Sequence, residues 1–93
     1  MEMTVEKVLE IADDSVALIN DVNTKNALSE YLPNNLNQAE VNKIIQKHTS
    51  HLEIILTYDG SNDAKPDVAG SSVDKSSYTT AITTGKNYIT ANS

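Results

Sequence analysis

Cysteine, arginine, tryptophan and phenylalanine are all absent from this chain. Without cysteine it has no disulfide, no thiolate metal site and no cysteine nucleophile, and its redox compartment stays open. Without arginine it has no bidentate fork for a phosphate or a guanine edge. All seven basic residues are lysines, set against thirteen Asp and Glu for a net charge of −6. That balance opposes counterion-release binding of DNA, so no direct sequence-specific nucleic-acid contact is expected. No apolar run approaches the 18 residues of a membrane span. The opening MEMTVEKVLE has neither a basic region nor a continuous apolar stretch, so no signal peptide is expected and the chain is placed in cytoplasm or in a virion.

Large side chains are scarce as well. Four tyrosines are the only aromatics in 93 residues, so Leu, Ile and Val must carry the core. A chain of this size forms one domain and buries about 60–70% of the surface its unfolded form exposes. Its stability margin is narrow, and a partner subunit would relieve the shortage.

What is present is helical patterning, and the fold class it predicts is mainly all-α. The bundle would have three to four helices and a long polar loop. Residues 36–60 organise the rest. Asn37 stands at an N-cap, Glu40 can close a capping box on the Asn37 amide, and Leu36 with Val41 can form a hydrophobic staple. Val41, Ile44, Ile45, His48, Leu52, Ile55 and Leu56 recur at steps of three and four, and Asp59-Gly60 offers a stop. The reading is a helix of about 22 residues, roughly 33 Å long.

Residues 4–22 read as the first helix, with Thr4 as N-cap and Glu6 in the first turn. Val5, Val8, Leu9, Ala12, Val16 and Ile19 make one stripe, which Ile11, Leu18 and Val22 widen toward a second neighbour. A short helix is expected over KNALSEYL, residues 25–32, ended by Pro33. Residues 60–77 read as a flexible polar loop in which a small β-hairpin around Ala69-Gly70 is the less favoured option. Residues 78–92 favour helix, because Tyr78, Ile82, Gly85 and Ile89 follow a four-three-four spacing that suits packing through Gly85. Asp74 is the expected cap, with Val73 and Tyr78 as a staple. The Thr-rich TTAITT argues for strand instead.

Few residues offer chemistry. His48 and His51 fall three apart on a helix and are the sole metal-ligand candidates, short of the three or four ligands zinc needs. Asp59, Ser61, Asp63 and Asp67 match part of a calcium loop, but Ala64 and Gly70 stand where its glycine and bidentate glutamate belong. TTGKN has the Gly-Lys of a phosphate loop with Thr80 in place of the first glycine. Asp13 and Asp14 are neighbours that do not face each other on a helix, and read as solvated. No serine or threonine shows an evident His-and-acid constellation or a nucleophile elbow. The expectation is a non-catalytic protein with no cofactor. It would offer Ile44, Ile54 and Tyr58 from the long helix, Val68 and Val73 from the loop, and Tyr78 and Tyr88 from the last segment to neighbouring chains.

The acidic first helix, the Leu32-Pro33 turn, QAEVNKIIQKHTSHLEIIL, the Gly/Ser/Asp loop and the closing YTTAITTGKNYI together resemble the small helical connector and accessory proteins of tailed-phage virions. The likeness is architectural and covers most of the chain without a diagnostic motif. It implies a structural subunit, a homo-oligomer or ring neighbour around a portal, with nothing catalytic carried over. Many such connectors have a basic face or arginines near packaged DNA, and this chain departs from them there. Two other functions are compatible with the residues: an acidic antitoxin-like or inhibitor-like module that caps a basic protein, and a metal-binding helical protein using His48 and His51.

Overall fold

In the computed structural model, residues 3–25, 37–62 and 64–93 are described. Among them are three helices and one hairpin: α1 (Val5–Lys25), α2 (Gln38–Leu56), β1 (Asp59–Asn62), β2 (Lys65–Asp67) and α3 (Ser76–Ala91). The mainly helical class is as expected. The expected short helix falls, apart from Lys25 at the end of α1, outside the described residues, as does Leu36 of the staple. None of the described helices is long and apolar enough to cross a membrane.

The first two helices start where the sequence places a cap. Thr4 Oγ1 accepts from the Lys7 amide at 3.2 Å. Asn37 is extended (φ −88°, ψ 170°) and its Oδ1 accepts from the Glu40 amide at 2.9 Å. Glu40 answers to a different donor than expected: its Oε1 accepts from the Asn37 side-chain Nδ2 at 3.0 Å rather than from the Asn37 backbone amide. The α2 stop also differs. The helix has 19 residues and ends at Leu56, with the amides of Thr57 and Tyr58 turning back to Ile54 and Ile55 carbonyls. Gly60 takes positive φ (+79°), but inside β1 rather than behind a helix. Asp59 pairs with Asp67 and Asn62 with Lys65, so β1 spends three steps where β2 spends two. Gly60 accommodates that bulge, since a Cβ there would sit 3.3 Å from Asp67 Cβ in a left-handed conformation.

The segment read as a flexible loop is therefore largely built, and its hairpin turns near Ala64 rather than Ala69-Gly70. Asn62 Oδ1 accepts from the Ala64 amide, Asp67 Oδ1 from Gly70, and the Ala69 amide donates to the Tyr58 carbonyl at 2.9 Å. These short-range bonds give the polar residues backbone partners. They also aim Val68 inward, where it is fully buried. Val68 was expected to face a neighbour and instead belongs to this chain's own core. Val68→Ala should cost about 1–2.5 kcal/mol, the range for removing buried methyls. A chemical-denaturation midpoint unchanged from the parent would show that the hairpin is not part of the cooperative unit.

α3 is helical despite its threonines because their hydroxyls are absorbed by the helix itself. Thr79, Thr83, Thr84 and Thr90 each donate to the carbonyl four residues back. Asp74 Oδ1 accepts from the Ser76 amide at 2.9 Å, one residue before the formal cap, Lys75. That hydrogen bond holds the Asp74 carboxyl below the usual carboxylate range.

Val41, Ile45, Thr49, Leu52 and Ile55 of α2 form the middle of the core, with Val8, Ala12, Leu18, Ile19 and Val22 of α1 and Tyr78 and Ala81 of α3 around them. α2 and α3 run antiparallel: Glu53 meets Lys86 at 3.4 Å, and Asn42 Nδ2 donates to the Asn92 carbonyl at 3.1 Å. One turn of α2 before Glu53, Gly85 lies directly on Thr49, and a Cβ on Gly85 would collide with Thr49 Oγ1. Packing through Gly85 is as its spacing suggested.

Candidate functional site

The polar groups that the tertiary structure brings together lie where α1 crosses α2. Ser15 sits on the buried face of α1 and His48 at the edge of the α2 stripe, and Ser15 Oγ lies 2.9 Å from His48 Nδ1. Thirty-three residues separate them in sequence, and no local signal links them. Ser15 is only 2% exposed, so its hydroxyl has no open approach for a substrate carbonyl. The pair acts as a strut: it satisfies a buried hydroxyl and fixes the imidazole.

Burial, then the charges of Lys47 and His51, push the His48 pKa below its ordinary 6.5. The folded state thus binds fewer protons than the unfolded state around that value. Stability is full above pH 6.5, falls as pH drops from 6.5 toward the folded value, and levels off below it. Thermal melts between about pH 5 and 7.5 should show this slope, and His48→Gln should flatten it. An equal slope in that variant would assign the effect to other groups.

The second interhelical polar contact joins Tyr78 to Asp13. Tyr78 Oη donates to Asp13 Oδ1 at 2.9 Å, and burial first, then Asp13, pushes the phenol up to about 12. Asp13 is therefore a hydrogen-bond acceptor for α3, a correction to its reading as merely solvated. Tyr78 is 8% exposed and faces the core, which removes it from the residues available to a neighbour. Beside this contact Val16 and Asn20 of α1 and Ser76, Ser77 and Thr80 of α3 line an open cleft of about 330 Å³. Its lining has no titratable side chain, so it lacks the convergent charged groups of a reactive site.

The remaining motifs resolve into local structure. Among the described residues no group of three or more His, Asp and Glu side chains could hold a metal. Asp59 and Asp67 lie opposite each other on the hairpin and accept from the Ser61 and Gly70 amides, so the partial calcium spacing builds turns; Asp63 lies outside the described residues. TTGKN is mid-helix, with Gly85 buried and Lys86 on Glu53.

No protein-family model, curated protein or solved structure matches this chain.

The surface is then the remaining guide. Ile54 is 53% exposed, while Ile44, Tyr58, Val73 and Tyr88 are half-buried. Ile11, which periodicity places with Leu18 and Val22 in the second stripe of α1, is 44% exposed, whereas Leu18 and Val22 are buried. Helix spacing placed it close to Ser15, but only the position of α2 decides whether that flank is covered. Two large apolar side chains on separate helices thus face solvent.

Proposed function

We propose that this protein is a non-catalytic structural subunit that assembles with other protein chains through the outer faces of its helices. The observation that carries this reading is the exposure of Ile54 and Ile11 on helices whose opposite faces are fully committed to the core. A large apolar side chain left on an outer helix face gains from a second packing partner, above all where one domain has few large side chains. The setting proposed is a tailed-phage virion, as a small connector or accessory subunit, which rests on architectural resemblance.

Light scattering after gel filtration, over a wide concentration range, tests the reading. A discrete multimer that persists on dilution supports it. A monomer at every concentration, at low and high salt, overturns self-assembly as the role. The reading as an acidic module for a basic partner would then take precedence, drawing on the carboxylates of α1.

A further inference from the structure

The Ser15 hydroxyl is buried in α1, and its proton has one destination. Thr49, Thr79, Thr83, Thr84 and Thr90 each donate to the carbonyl four residues back in their own helix. Among the described residues Ser15 makes no such bond to Ile11, and its one side-chain partner is His48 Nδ1 at 2.9 Å. No buried side-chain oxygen or nitrogen among them lacks a partner. A neutral imidazole has one donating and one accepting nitrogen. Nδ1 is therefore the acceptor, and the ring proton sits on Nε2, which the half-buried ring leaves to water.

We propose that this bond is a proton-operated latch between α1 and α2: Ser15 holds the neutral His48 ring, and a proton taken up at Nδ1 releases it. The latch works whether or not the protein assembles with other chains, so it stands apart from the structural-subunit reading. In the imidazolium both nitrogens are donors. Nδ1–H and the Ser15 O–H would then face each other, and the hydroxyl must turn. Its oxygen can accept from the ring, but its proton is left without an acceptor at a site 2% exposed. A buried donor without a partner loses its hydration and gains nothing, so a contact that joins the helices in neutral solution works against them in acid.

The surrounding charges reinforce that direction. From α2 itself, Lys47 and His51 both oppose a cation on the His48 ring. On α1, Asp14 lies about 100° around the helix from Ser15 and is exposed. Lys7 and Glu10 are exposed as well, and half-buried Asp21 lies nearly two turns beyond Ser15. α3 packs on another flank of α2, at Thr49 and Glu53. The hairpin charges Asp59, Lys65 and Asp67 lie beyond the end of α2. Stability falls from pH 6.5 downward, and the latch itself opens around the lower, folded value of His48.

Magnetic resonance of nitrogen-labelled protein tests the bond directly, because bare and protonated ring nitrogens resonate far apart. Above its titration, His48 of the parent should show a bare Nδ1 and a protonated Nε2. A proton on Nδ1 of the neutral ring would overturn the proposal, and this measurement needs no substitution. Ser15→Ala then tests the release. Above the His48 titration it should lower the folding equilibrium constant about tenfold, and below it only about threefold. The same difference should appear as a rise of about half a pH unit in the His48 midpoint, with His51 moving much less. A substitution that removes packing alone would cost the same at both pH values and leave the midpoint in place. A midpoint that falls would show that Ser15 supports the protonated ring. Either result overturns the latch.

Discussion

Replacing Leu52 with aspartate is expected to abolish the cooperative unfolding transition. Leu52 is 1% exposed in the middle of the α2 core stripe, and Ile45, two turns earlier, is equally buried. An aspartate at either position must bury an unpaired carboxylate or tear the helix from its neighbours. At roughly 0.05–0.15 kcal/mol per residue, a domain of this length has about 5–14 kcal/mol of total stability. Loss of the leucine's apolar burial and cavity filling alone costs about 2–5 kcal/mol, and the charge adds to it. The control is close by: Ile54→Asp, on the solvent side of the same helix, should stay within about 1 kcal/mol of the parent. Thermal melts followed at the helical circular-dichroism band separate the cases. If Leu52→Asp and Ile45→Asp both melt like the parent, that stripe of α2 is not the core.

The second large effect is expected at Gly85. On helix propensity alone Gly85→Ala should stabilise α3 by up to about 1 kcal/mol. Packing reverses the sign. The new methyl would collide with Thr49 Oγ1, a fully buried hydroxyl that donates to the Ile45 carbonyl at 2.7 Å. Relief requires Thr49 to leave that bond or α3 to move off α2, and overpacking of this kind costs about 1–3 kcal/mol. Thr49→Ala in the same chain should recover most of the loss. Some remains, because the Thr49 Cβ itself would lie 3.3 Å from the added carbon. A double-mutant cycle from denaturant melts should therefore give a favourable coupling larger than about 0.5 kcal/mol. Additive effects would show that the two helices do not meet at this point.

How the site could be anticipated depended on how far apart its parts lie in the chain. The exposed Ile54 was legible from periodicity, since it falls outside the 41-45-52-55 repeat that the core claims. Ile11 was not, because helix spacing puts it near the packed side of α1 and only the placement of α2 leaves it bare. The Ser15–His48 and Asp13–Tyr78 contacts span 33 and 65 residues. A side chain's own neighbourhood in sequence does not say which distant element it will meet. Val68 was misread for a related reason. A lone valine in a polar segment looks like loop, and its burial follows from turns that Asn62 and Asp67 build around it.

The sequence by itself determined the helical class, the caps at Thr4 and Asn37, the apolar stripe of α2 and the use of Gly85 as a contact point. All of these follow from interactions within a turn or two, or from a side chain too small to hold two helices apart. It also determined the charge balance, which bounds the partners this surface can take. Tertiary structure alone decided where α2 stops, that Val68 turns back into the core, and which flanks of α1 and α2 stay open. Those outcomes depend on which faces the other elements cover, and covering is a property of the whole packed molecule.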